Sequence, residues 1–220
     1  MGVIPEEPRQ HLIEEFEAKL KDEVHLVMFT QETECAHCRE ARELVEEIAG
    51  LSNKITAEIF DFVKDNGKAN KYKIDKVPAI AVIGKRDYGI RYYGVPIGYE
   101  FKSFVGAIIN VSNGTTNLSE ETKKKLDSIS KPVHIQVFVT LTCPYCSTAA
   151  GLAYKLALEN DLLRADVIDA GEFPHLAQKY SVMGVPKTVI NEQIEIVGAI
   201  PEPQFIAHVL HTQEPPSIYM

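Results

Sequence analysis

Two four-residue stretches hold every cysteine of the chain: Cys35-Ala36-His37-Cys38 and Cys143-Pro144-Tyr145-Cys146. An offset of 108 residues, from Cys35 to Cys143, also lays Asp61 on Asp169, Tyr72 on Tyr180, and Val77-Pro78 on Val185-Pro186. A single offset that carries both cysteine pairs and the Val-Pro step marks an internal repeat, which constrains the architecture before any one element is assigned. The register slips only at the margins. Val24-His25 matches Val133-His134, and Gly94 matches Gly198 with four extra residues in a turn of the first copy. Insertions of that kind collect in connections, where they cost least. The 220 residues therefore divide into two expected units, 1–115 with the first pair and 116–220 with the second.

Local patterns read alike in both halves. Leu12, Phe16 and Leu20 recur at helical spacing across residues 8–22, and residues 24–30 form a short apolar run bounded like a buried strand. Behind Cys35, Ala41, Leu44, Val45 and Ile48 share one helical face, and Gly50 stops it. A strand near residues 55–62, a short helix up to Tyr72, two strands joined by a turn at residues 84–89, and a last helix complete the first unit. The second repeats this order after the polar connector 110–119, with Ser119 placed as a helix start. The expected fold class is α/β: two tandem units, each a central mixed four-stranded sheet flanked by helices. The helix behind Cys143 is apolar nearly all round (Ala149, Ala150, Leu152, Ala153, Leu156, Ala157, Leu158), so a second covering surface is expected from another unit or subunit. The tail 213–220 reads as irregular.

Composition narrows the function. With 45% hydrophobic and 25% charged residues, the chain can build an ordinary core without disulfide staples. A net charge of −8 argues against sequence-independent nucleic-acid binding. No run approaches the ~20 apolar residues of a membrane helix, and the N-terminus lacks the apolar stretch of a secretory leader. The expected location is cytoplasmic, where paired cysteines mean redox or metal chemistry more often than staples. A zinc site built from all four cysteines is the main rival. Its two knuckles are normally ~15–20 residues apart, whereas each pair here belongs to its own repeat.

A helix starting at the leading cysteine would set that sulfur over free backbone N–H groups and the positive end of the macrodipole, favouring thiolate. A second cysteine one turn along can then resolve a mixed disulfide. Cys35 and Cys143 are read as attacking sulfurs, and Cys38 and Cys146 as resolving ones. His37, Pro144 and Tyr145 are read as tuning residues: an imidazolium at His37 would favour thiolate, Pro144 suits a first helical turn, and Tyr145 covers the sulfurs. Val77-Pro78 and Val185-Pro186 open strands and suit cis bonds, which would leave the valine backbone free to pair with an extended substrate. Asp61 and Asp169 are read as strand ends, and His25 and His134 as strand-edge residues. Glu58 and Asp166 are the carboxylates offered to the sulfurs.

The C-x-x-C pairs, the strand and helix order, and the proline before the third strand together resemble the thioredoxin fold, and Cys143-Pro144-Tyr145-Cys146 resembles the glutaredoxin pair. Two such units in about 220 residues look like the protein disulfide oxidoreductases of thermophilic archaea and bacteria. That resemblance implies reductase, oxidase and isomerase activity toward protein or peptide disulfides, with no cofactor beyond the cysteine pairs. It also implies a thioredoxin-reductase-like flavoprotein as partner, and leaves self-association open. There are departures. The chain has no tryptophan, Glu34 and Thr142 precede the leading cysteines, and Phe29 and Val137 stand where thioredoxins carry a buried acid. Gly198 alone replaces the glycine pair with which glutaredoxins hold glutathione. Two other classes remain: a peptide-binding or chaperone scaffold, and an electron-relay domain of a peroxide-reducing system.

Overall fold

The computed structural model describes residues 2–214; of the tail read as irregular at 213–220, residues 215–220 lie outside them. In chain order the first unit runs α1 (Glu6–Lys19), β1 (Val24–Thr30), α2 (Cys38–Ala49), β2 (Ile55–Asp61), α3 (Asn66–Lys71), β3 (Ala79–Ile83), β4 (Asp87–Tyr93) and α4 (Glu100–Asn113). The second runs α5 (Glu120–Leu126), β5 (Val133–Val139), α6 (Cys146–Glu159), β6 (Leu163–Asp169), α7 (Pro174–Lys179), β7 (Lys187–Ile190), β8 (Ile194–Val197) and α8 (Glu202–His211). Ser119 caps α5: its hydroxyl accepts from the Thr122 backbone N–H at 3.2 Å. The expected boundary at 115 falls in the extended stretch between α4 and α5.

The two expected four-stranded sheets are not separate. They join edge to edge into one eight-stranded sheet, β2-β1-β3-β4-β6-β5-β7-β8. The seam is a parallel pairing of β4 with β6, from Ile90 opposite Ala165 to Tyr93 opposite Ile168. The four extra residues of the first copy lengthen the hairpin, so that β4 spans 7 residues where its counterpart β8 spans 4. A strand edge left bare would invite pairing with another chain; here the pairing strand is supplied within the same chain.

The seam also covers α6. Ala149, Ala150, Ala153, Tyr154, Leu156, Ala157 and Leu158 are buried, because α6 lies on β5 and β6 of its own unit and on β4 and α4 of the other. The Tyr154 hydroxyl donates to the Arg91 carbonyl across the seam at 3.2 Å. Small residues on α6 allow this close approach. The apolar surface that looked excessive for one unit is the second face of a shared core.

Strand directions place the cysteines. β1 is antiparallel to β3, β3 antiparallel to β4, and β4, β6 and β5 are mutually parallel. β1 and β5 therefore point the same way, and both cysteine pairs follow their C-terminal ends at one rim of the sheet. Right-handed crossovers to strands on the same side put α2 and α6 on one face. Four strand spacings separate the two sites, roughly 19 Å before twist.

Candidate active site

Each site is a strand, a turn, two cysteines and a helix. In both, Cα atoms of the bridged pair are close, 5.5 Å for Cys35–Cys38 and 5.4 Å for Cys143–Cys146, well inside the reach of a disulfide. The helices begin later than the sequence suggested, at Cys38 and Cys146. Cys35 and Cys143 stand in the turn ahead of them. Glu34, with φ of 58°, reverses the chain before Cys35, and the Cys146 N–H bonds back to the Cys143 carbonyl at 3.3 Å. Pro144 accordingly lies in that turn and not inside the helix. The free N–H groups of the first helical turn still lie just beyond each leading sulfur. The trailing cysteines are the deeper ones, Cys38 being 2% exposed and Cys146 fully buried, while Cys35 is half-buried.

Both Val-Pro bonds are cis. Cys143 Sγ lies 3.7 Å from the Val185 carbonyl oxygen, so the second Val-Pro step sits against its sulfur. Gly94 N–H donates to the Pro78 carbonyl at 3.0 Å, and Gly198 N–H donates to that of Pro186 at 2.8 Å. The matched glycines thus fasten the matched prolines. Asp61 and Asp169 do end their strands, each turning the chain with a side-chain oxygen that accepts a backbone N–H.

The surroundings of the two sites differ. A cleft of about 400 Å³ at the first site is lined by Cys35, Cys38, Arg39, Arg42, Asp61 and Lys64. His37 carries charge partners on both ring nitrogens, with Glu40 and Glu172 each at 3.4 Å. The second site presents apolar groups to solvent: Tyr145 between its cysteines, Met183 just before Val185, and Val197 opposite Lys187. In the first copy the position of Val197 is taken by Tyr93, which the seam buries.

The carboxylates offered by sequence are not at the sulfurs. Glu58 is exposed. Asp166 is buried beneath the opposite part of the strand, where burial pushes its pKa up but the hydrogen bond from His134 (2.7 Å) and the ion pair with Arg164 (2.8 Å) win and hold it down. His134, read only as a strand-edge residue, is the partner of that acid. His25 does stay at its strand edge, bonded to Thr56.

A different acid, Glu100, is buried near the seam, where Asp169 of the second unit acts on it. It opens α4, is fully buried, and has one oxygen with no partner among the described residues. Burial raises its pKa to about 7, opposed by a hydrogen bond from Ser103 and assisted by Asp169. Its neighbour Tyr99 donates a backbone N–H to the Leu141 carbonyl at 3.1 Å, two residues before Cys143. Gly98, at φ of 60°, lies so near Leu141 that a Cβ there would fall on the carbonyl oxygen. The first unit thereby clamps the loop that delivers the second site's cysteine. Glu100 falls opposite Gln204 at the offset that lays Gly94 on Gly198, so the repeat does not mark it and only its burial reveals it.

A thioredoxin-domain family profile matches residues 133–211. The solved protein disulfide oxidoreductase from Aeropyrum pernix superposes with a TM-score of 0.87 at 29% identity, covering 93% of this chain and 91% of that one. The chain carries two tandem thioredoxin-fold units. The N-terminal domain of the alkyl hydroperoxide reductase AhpF from Enterococcus faecalis is similarly close, with a TM-score of 0.86 at 29% identity over 93% of this chain and 98% of that one. Among curated proteins, the AhpF component of alkyl hydroperoxide reductase from Escherichia coli is 25% identical over 173 residues, 79% of this chain and 31% of that protein. The NADH dehydrogenase of Bacillus subtilis is 25% identical over 150 residues, 67% of this chain and 27% of its own length. The chain spans under a third of the length of these curated relatives. Among the described residues no helix is long and apolar enough to cross a membrane.

Proposed function

We propose that the chain exchanges disulfides with protein or peptide substrates at two dithiol centres, one in residues 1–115 and one in 116–220. In the reducing direction, the thiolate of Cys35 or Cys143 attacks one sulfur of a substrate disulfide. A mixed disulfide forms, the substrate bond breaks, and the departing thiolate takes up a proton. Cys38 or Cys146, once deprotonated, attacks the leading sulfur, closes the enzyme disulfide and releases the second substrate thiol. Two electrons pass to the substrate; the reverse sequence oxidises it. Val77-Pro78 and Val185-Pro186 offer backbone for an extended substrate, and His37, Pro144 and Tyr145 tune the sulfurs. The chemistry needs no group beyond the cysteines.

The observation that carries this reading is the placement of each C-x-x-C pair within bridging distance, with its trailing sulfur buried and a cis Val-Pro step in each unit. The test is trapping. Cys38→Ser should accumulate a mixed disulfide on Cys35, and Cys146→Ser on Cys143, when the reduced chain meets a protein disulfide. Failure of both variants to trap substrate would reject the assignment. A relay role, passing electrons from a thioredoxin-reductase-like flavoprotein toward a peroxide-reducing partner, is favoured by the likeness to the alkyl hydroperoxide reductase AhpF. Rapid reduction of either centre by such a flavoprotein supports it.

A further inference from the structure

His37 stands between the cysteines of the first site, yet one of its two contacts comes from the second unit. Its Nδ1 lies 3.4 Å from Glu40 on its own helix, and its Nε2 lies 3.4 Å from Oε2 of Glu172. The imidazole is half exposed, whereas the Glu172 side chain is 14% exposed. Glu172 sits in the turn between β6 and α7. That turn is held by the Phe173 N–H on the Asp169 carbonyl at 3.0 Å and by the Phe173 ring set edge-on against Tyr93 of the first unit. The carboxylate is therefore fixed by packing at the seam. Its counterpart in the first copy is Lys64, and the counterpart of His37 in the second is Tyr145. The acid and the imidazole thus each belong to one copy only and meet only across the seam. The carboxyls around the ring are Glu40, Glu172 and, behind them, Asp169. Burial raises the pKa of Glu172, His37 draws it down, and Asp169 and Glu40 raise it again.

We propose that Glu172 is a positioning residue for the first dithiol. It does not touch the sulfurs. It holds the His37 ring beside them and pairs with it when the ring is protonated, and the cation in turn favours the Cys35 thiolate once the bridge is open. Because the two groups sit in different units, the second unit sets the reactivity of the first site. This rests on the reading of Cys35 as the attacking sulfur.

The experiment labels the fully reduced, full-length chain with iodoacetamide across pH, following Cys35 and Cys143 separately by mass spectrometry. Glu172→Gln keeps size and an acceptor oxygen but removes the charge. Labelling of Cys35 at neutral pH should slow about threefold, the size expected of one partly exposed ion pair, with its profile moving to higher pH and that of Cys143 unchanged. In a His37→Ala background the same substitution should change nothing further. An unmoved Cys35 profile, an equal shift at Cys143, or a shift that persists without His37 overturns the proposal. Slow labelling of Cys35 in the unaltered chain instead removes the attacking-sulfur reading, and the proposal with it.

Discussion

At the scale of single residues, Glu100 makes the sharpest prediction. Its pKa is raised from 4.5 to about 7 in the folded chain, so folding favours its protonated form. The stability this gives is fully present below about pH 4.5 and is lost as pH rises through about 7. Glu100→Gln should match the unaltered chain near pH 4.5 and exceed it by up to about 3 kcal/mol above pH 7, measured by urea unfolding across pH. Gly98→Ala tests the clamp: a positive φ and a blocked Cβ position both oppose it, costing more than about 1 kcal/mol and slowing Cys143 more than Cys35. The cysteines and prolines were legible from spacing alone, since identical chemistry recurs at one offset. Glu100 and Glu172 were not. Neither has a carboxylate counterpart in the other copy, and part of the surroundings of each comes from the neighbouring unit.

At the scale of elements, the sequence announced α6 as a problem through its lack of a polar face, and packing across the seam resolves it. Leu156→Ala should cost about 2–5 kcal/mol, because this fully buried side chain would leave a void between rigid layers. Ser119→Ala should cost about 1 kcal/mol through loss of the α5 cap. Calorimetry or denaturant titration reads both. Strand positions followed from apolar runs to within a residue or two. The helix starts did not, since the turn before Cys38 and Cys146 is built by the chain reversal at the site and leaves no periodic signal. The edge-to-edge pairing of β4 with β6 was also hidden. A strand's neighbour depends on which edge its hairpin leaves free, and each hairpin leaves one: β4 takes β6, while β8 ends the sheet.

For the whole molecule, the continuous sheet and the shared core under α6 predict one cooperative unfolding transition instead of two, measured by scanning calorimetry; well-separated transitions would contradict the seam. One sheet also carries both cysteine pairs on one rim, with the first set among charged groups and the second rimmed by apolar ones. The most direct test is reduction of a protein disulfide by the intact chain, by Cys35→Ser, by Cys143→Ser, and by the two substitutions combined. Each single variant should retain the activity of one centre and the combined variant should have none. Activity that survives the loss of both leading sulfurs would contradict the account.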